Sequence, residues 1–321
     1  MLCALCGFLV CNVQETSDKR EKTGLPPAFP GNIGASRENH GTKKGRSSGK
    51  GSHRRPPSEF PQSRFQDTLT RHLNRKTEAN LTKEEYEHIR DYYLEPKNEW
   101  ARQRIERVTH VLKAGKGEHI LDLGCGNGTF SFHLRRAGAV TVGVDRDENV
   151  LLKGRAASNK YAGFAAPRVA ADATRLPFRE AVFDAVVNAD FIEHTPGEAK
   201  PAIFQEMYRV LKPGGRGIVY TPNLNRVRWE LMGEKVKRIA GLRKEPVPKW
   251  WDYVDPDHFG LTTPARTRRA MERAGFRTKV YFFEFHFPGL SRLPFLDRLL
   301  EPLFREELAN RFLILGGKPA E

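Results

Sequence analysis

The run "LDLGCGNG" places Asp122, Gly124, Cys125, Gly126 and Gly128 together, with the glycines on alternate positions, and Asp145 closes the next apolar stretch, "VGVD". A phosphate-binding loop needs Gly-Lys-Ser/Thr after its last glycine, and a dinucleotide fingerprint reads G-x-G-x-x-G; this run has neither, because Thr129 stands where the third dinucleotide glycine would be. A carboxylate at the tip of the second strand can accept both hydroxyls of a ribose. A carboxylate beside the loop, Asp122, would repel a pyrophosphate but suits a ligand carrying an ammonium group. The chemistry expected here is therefore capture of a cationic amino-acid nucleoside.

A second group follows "FDAVVNAD": Asp190, Glu193 and His194 fall within five residues. His194 is the candidate general base, because an imidazole exchanges its proton near neutral pH, and the two acids complete the candidate catalytic set.

Such residues work only if strands and helices hold them. "LTKEEYEHIRDYYL" opens with a capping-box spacing, Thr82 to Glu85, and "NEWARQRIERVTHVLKA" predicts a second helix. Strands are then predicted at 119–124, 139–145, 168–172, 183–190 and 216–223, alternating with helices in "TFSFHLRRAG", "ENVLLKGRAASNK" and at 199–212. A helix at 263–275 and strands at 276–285 and 311–317 complete the pattern. Near-continuous apolar strands separated by single helices imply an α/β fold with a mostly parallel sheet covered on both faces, and ligands in such sheets bind at the carboxyl ends of the strands.

Residues 1–78 differ in character. They are poor in large apolar side chains beyond the opening "MLCALCGFLVCNV" and rich in Gly, Ser, Pro, Lys and Arg, which predicts a disordered basic tail ahead of one domain at 79–321. The net charge of +15 favours an acidic partner, and "KKGRSSGKGSHRR" is either a docking arm or a solvated linker. Cys3 and Cys6 make half a zinc site at most. The apolar opening is too short to span a bilayer and lacks a basic start and a cleavage site, so a cytoplasmic location is expected.

"LDLGCGNG", "VGVD", "AADATRLPF", "FDAVVNADFIEH" and "VLKPGGRGIVYTPN", in this order, resemble the class I S-adenosylmethionine-dependent methyltransferases over about residues 85–317. The resemblance implies a Rossmann-like seven-stranded sheet with the last strand antiparallel and S-adenosyl-L-methionine laid over the glycine turn. It would set Asp122 and the Gly124–Gly128 backbone at the methionine end, Asp145 on the ribose, and Asp172 and Ala173 at the adenine. Arg146 or Leu176 would flank the ring, and Asn188 and Ala189 would line the sulfonium. "NADF" lacks the Asn/Asp-Pro-Pro-aromatic signature of enzymes acting on nucleobase amines, and it lacks the cysteine of cytosine C5 enzymes.

"DFIEH" resembles the E-x-x-E-H stretch of the quinol O-methyltransferases of ubiquinone biosynthesis, whose acids and histidine are tied to a divalent metal. Asp190 has the shorter reach, and a plain helix start explains "EH" equally, so no metal is expected. "YVDPDHFGLTTPARTRRAMERAGF" resembles the segment after the fifth strand in the same enzymes, which would bring Tyr253 and His258 to the acceptor pocket; a loop-to-helix anchor is the other reading of His258.

A basic insertion at about 224–257 spaces Val227, Leu231, Met232, Val236, Ile239 and Leu242 near a helical repeat, with Trp250 and Trp251 close behind. This is either a lid over the substrate or an interfacial helix on the inner face of the membrane, spanning 225–251. The apolar stretch 285–304 is core, a second membrane-facing surface or a dimer contact. The first expectation is a methyltransferase for a small-molecule or lipid-like acceptor, a quinol among them. The alternatives are an RNA or protein methyltransferase docking through its tail, nucleic acid being the less favoured partner, and a non-catalytic cofactor-binding module.

Overall fold

The structure is a computed structural model that describes residues 80–242, 244–247, 257–285 and 294–320. Helix α1 (Lys83–Ile89) begins at the expected capping box, with Thr82 Oγ1 accepting from Glu85 N and Glu85 reaching back to Thr82 N. It runs into a single π-helical turn, Arg90–Leu94. Helix α2 (Glu99–Leu112) is capped by the Asn98 side chain and presents Ile105, Val108 and Leu112 to the core.

Strands and helices then alternate: β1 (His119–Leu123), α3 (Thr129–Arg136), β2 (Val140–Asp145), α4 (Glu148–Ala162), β3 (Arg168–Ala170), β4 (Phe183–Ala189), a 3-10 turn at Ile192–His194, α5 (Lys200–Val210) and β5 (Leu211–Pro222). Helix α6 (Leu224–Ile239) forms most of the basic insertion, followed by α7 (Pro264–Arg273), β6 (Arg277–Phe285), α8 (Pro294–Leu308) and β7 (Ala309–Gly317).

The seven strands lie in the order β3-β2-β1-β4-β5-β7-β6. Strands β3 to β5 pair in parallel, and β7 runs antiparallel to both β5 and β6. The apolar strands are buried on both sides, as a parallel sheet requires. One face packs on α5 and α7 through Ile203, Phe204, Met207 and Met271, and the other on α2 and α3 through Val108, Leu112, Phe130 and Leu134.

Two boundaries differ from the sequence expectation. β5 starts at Leu211, directly after α5, because Leu211 pairs with Phe183 before a register shift carries the strand on to Arg216. The second is in 285–304, where the sequence reading names no element: helix α8 packs there against α6 and β6. Its Phe295, Leu299 and Leu303 remain exposed.

Candidate functional site

The glycine turn joins β1 to α3. Gly124 N and Cys125 N both donate to Val144 O of β2, at 2.7 and 2.9 Å, and Gly128 N donates to Cys125 O. Gly124 and Gly128 have φ of 76° and 87°, the left-handed region that favours glycine. A Cβ on Gly124 would lie 2.3 Å from the Phe191 ring, and one on Gly128 would lie 2.2 Å from Arg168 Nη2. The turn is thus packed from the protein side, and its bare backbone is a steric requirement.

Asp145 closes the turn from β2. Its Oδ2 accepts from Gly126 N at 2.9 Å and its Oδ1 from Asp147 N at 3.0 Å. Asp122 has partners within the protein. It is buried, and its Oδ2 accepts from Ser131 N and Ser131 Oγ, both at 2.7 Å. Gly128, the residue before α3, has no side chain with which to cap the helix, so Asp122 caps it from the neighbouring strand. Burial raises the Asp122 carboxyl to about 6, against the hydrogen bonds from Ser131. Cys125 is buried with its thiol pushed up by burial, which makes it a packing residue and a poor nucleophile.

Farther along the strand ends, Asp172 is exposed and its Oδ1 accepts from Thr174 N and Thr174 Oγ1; these bonds hold its carboxyl below the usual range. Ala173 and Ala189 are buried and Arg146 is exposed. Asn188 is fully buried at the end of β4, and neither its Oδ1 nor its Nδ2 has a partner. A buried amide with both ends unmet is costly unless a ligand meets it.

The proposed catalytic trio separates. Asp190 turns away at φ 53° and is held by Arg104 Nη1 at 2.9 Å and by Arg311 Nη1. Burial alone would raise its carboxyl, but the charges of Arg311 and Arg104 hold it below the usual carboxylate range. A carboxylate gripped by two guanidinium groups is a poor proton acceptor. Trp100 is stacked on by both arginines, with distances of 5.4 Å for Arg104 and 4.9 Å for Arg311.

Glu193 lies inside, with Oε2 accepting from Thr221 Oγ1 at 2.9 Å and Oε1 without a partner. Burial and then the Asp190 charge push its carboxyl up. His194 is half-buried, and its Nδ1 sits 3.0 Å from Asp257 O. A carbonyl only accepts, so Nδ1 carries the hydrogen and Nε2 carries the lone pair. The rings of His194 and His258 meet edge to face at 4.8 Å. One donor atom from each of Glu193, His194 and His258 lies within 4.8 Å of the others. The group is two imidazoles and one carboxylate, whose Oε1 is the orphaned buried oxygen, and Asp190 is not part of it. Tyr253 lies outside the described residues.

Four residues escaped the sequence reading. Arg104 and Arg311 look like surface arginines in any linear pattern. Arg168, buried at the start of β3, donates to Asn127 O at 3.0 Å and supports the glycine turn. Lys200 is buried, its ammonium pushed by burial down to about 8, and its Nζ donates to Ile192 O, Thr195 O and Gly260 O at 2.6, 2.8 and 2.7 Å. No local signal marks these residues, because each finds its partners on another element of the fold.

Strand order, reversed last strand and a glycine turn closed by an acid from the second strand define the class I S-adenosylmethionine-dependent methyltransferase fold. Residues 120–215 match the family model described as "Methyltransferase domain". Over 109 residues, 34% of this chain, the sequence is 37% identical to the demethylmenaquinone methyltransferases of Mycobacterium tuberculosis and Mycolicibacterium paratuberculosis. The chain spans 43% and 44% of the length of those relatives. Among solved structures, a SAM-dependent methyltransferase from Archaeoglobus fulgidus aligns with a TM-score of 0.50 at 21% identity, over 73% of this chain and 100% of that one. Phosphoethanolamine N-methyltransferase 2 of Haemonchus contortus, solved with phosphomonomethylethanolamine and S-adenosylhomocysteine, aligns with a TM-score of 0.50 at 18% identity, over 80% of this chain and 59% of that one. At these identities the structural likeness is one of fold.

Proposed function

We propose that this chain is an S-adenosyl-L-methionine-dependent methyltransferase acting on a small, lipid-like acceptor of the quinol kind. The observation that carries the reading is the cradle between β1 and β2: glycines held bare by Phe191 and Arg168, an acid across the turn, and the unmet amide of Asn188 at the neighbouring strand end. Bound there, the cofactor supplies an electrophilic methyl group on a sulfonium. Asp145, already fixed by Gly126 N, takes the ribose hydroxyls, and Asp172 and Ala173 take the adenine edge. Arg146 flanks the ring, and Asn188 and Ala189 line the sulfonium end. Asp122 contributes indirectly, by capping α3 beneath the loop.

Methyl transfer is an in-line displacement, so the chain's work is positioning and exclusion of water, with a proton acceptor where the nucleophile is a hydroxyl. In the metal-free protein His194 Nε2 is that acceptor, its ring aimed by Asp257 O. Tyr253 and His258 contribute to the acceptor side. The demethylmenaquinone relatives support a quinol-type acceptor.

The reading extends to the membrane. Met232, Val236 and Ile239 recur on one face of α6 at 46%, 59% and 86% exposure, beside Arg228, Lys235, Lys237 and Arg238. An apolar stripe with basic flanks suits an interfacial helix, and no described helix is long and apolar enough to cross a bilayer. The test is calorimetry with S-adenosyl-L-methionine, followed by incubation with fractionated quinone and lipid pools and mass spectrometry for a gained methyl group. Binding and a methylated quinone support the reading; absence of cofactor binding overturns it.

A further inference from the structure

Lys200 is the first residue of α5, a position that does not suit a cation. The first turn of a helix carries unpaired N–H groups and a partial positive charge. In α5 no acidic residue and no side-chain cap offsets them. Burial adds a desolvation cost, which pushes the ammonium down to about 8. Some contact must outweigh both effects.

That contact is a set of three carbonyls. An ammonium has three N–H donors, and Lys200 Nζ lies 2.6 Å from Ile192 O, 2.8 Å from Thr195 O and 2.7 Å from Gly260 O. Ile192 and Thr195 bracket the 3-10 turn that carries Glu193 and His194, whereas Gly260 belongs to the segment before α7 that carries Asp257 and His258. The two segments are far apart in sequence and meet only here. Gly260 N donates to Glu193 O at 2.7 Å, and a Cβ on Gly260 would lie 1.9 Å from Thr195 O and 2.9 Å from Lys200 Nζ. Only glycine allows so close an approach.

The consequence falls on His194. A neutral imidazole can carry its hydrogen on either nitrogen. The Asp257 carbonyl, 3.0 Å from Nδ1, selects one form and leaves the lone pair on Nε2, but only while the 257–260 segment stays against the turn. The His258 ring meets the His194 ring across the same seam.

We propose that Lys200 is a positioning residue, whose three carbonyl bonds clamp the turn bearing His194 to the segment bearing Asp257 and His258 and so set the tautomer and aim of the proton acceptor. Its part in catalysis rests on the function proposed above, whereas the clamp itself requires no methyl transfer. Methionine at position 200 keeps the apolar stem and removes all three bonds, which favours separation of the two segments so that water can reach the freed carbonyls.

The test uses the full chain labelled with nitrogen-15 on histidine, at pH 7 with EDTA present, and reads the His194 tautomer from its ring-nitrogen shifts, assigned with His194→Gln. The parent should carry the hydrogen on Nδ1. Lys200→Met and Gly260→Ala break the clamp from opposite sides, and each should give the averaged shifts of a ring exchanging between tautomers. S-adenosyl-L-methionine affinity by calorimetry should stay within a few-fold of the parent's. With reduced short-chain demethylmenaquinone as acceptor, kcat should fall by about 10²-fold at unchanged cofactor KM, the scale of a roughly 1 Å misplacement. The double variant should be no worse than the worse single one, since both lesions break one clamp. If Lys200→Met fails to fold, Lys200→Gln serves in its place. A parent inactive on the quinol counts against the proposed function and leaves the nitrogen-15 result to decide the clamp. A His194 tautomer unchanged in both variants, a parent with the hydrogen on Nε2, or a loss of kcat matched by an equal loss of cofactor affinity would each overturn the proposal.

Discussion

Arg104 Nη1 stands 2.9 Å from Asp190 Oδ2, tying the first turns of α2 to the tip of β4 while Arg311 reaches the same carboxylate from β7. Three elements converge on one acid, so its ionisation is a structural matter. Removing one member of a buried ion cluster strands its partners, at a cost of about 3–5 kcal/mol. Asp190→Ala should lose stability on that scale in urea titrations and retain cofactor affinity within a few-fold. A variant of unchanged stability that had lost a titration from its pH-rate profile would restore Asp190 as a catalytic group.

The glycine turn should tolerate no side chain at its last position. Gly128→Ala meets Arg168 Nη2 and must also hold an L-residue at positive φ, a backbone cost of about 1–2 kcal/mol before any clash. Reduced thermal stability together with cofactor affinity lowered by at least roughly tenfold, or ~1.4 kcal/mol, is the expected outcome. Arg168→Ala on the same background should leave the defect largely in place, because the φ restriction remains.

Asp145→Asn keeps the size of the side chain and removes its charge. Loss of charge-assisted bonds to the ribose, each worth ~1.5–3 kcal/mol, should weaken cofactor binding by about 10- to 100-fold in calorimetry, and the melting point should fall somewhat, because the amide nitrogen cannot accept from Gly126 N or Asp147 N as a carboxylate oxygen does. Equal affinity in the two proteins would argue that the ribose lies elsewhere.

His133 sets an acid limb on stability. Burial lowers its pKa from 6.5 to about 4, and its Nε2 is buried without a partner. The fold therefore favours the neutral ring, and its contribution is complete above pH 6.5 and is lost as pH falls toward 4, by up to roughly 3 kcal/mol. Asp122 works in the opposite sense: its carboxyl, raised from 3.8 to about 6, favours the folded state at low pH and loses that contribution as pH climbs through 6. His133→Gln should remove the rise and leave the opposing Asp122 dependence, so that its urea midpoint falls as pH climbs from 4 to 6. A slope identical to that of the parent would assign the acid limb to other groups.

The apolar face of α6 should govern contact with lipid. Serine at Met232, Val236 and Ile239 together should reduce flotation with phosphatidylglycerol-containing vesicles several-fold, at unchanged helicity by circular dichroism. Equal flotation would favour a covering role for this helix.

Most of the strand and helix pattern was legible because the periodicities of β1 to β5 are strong and unbroken, and the glycine turn announces itself through spacing. Asp122 was legible as a residue of consequence but not in its role, since nothing local says that it caps a helix beginning at Thr129. The same limit hid Arg104, Arg311 and Lys200, whose partners lie on other elements. His258 was picked from the sequence, but only the fold shows that it meets His194.

The bond from Ser131 to Asp122 makes the cofactor cradle a product of docking rather than of its own sequence. A grafted loop of residues 124–128 would arrive in a new host without a start for its helix. Any transplant, circular permutation or fragment that keeps the motif but parts β1 from α3 will carry the letters of the fingerprint and none of its shape.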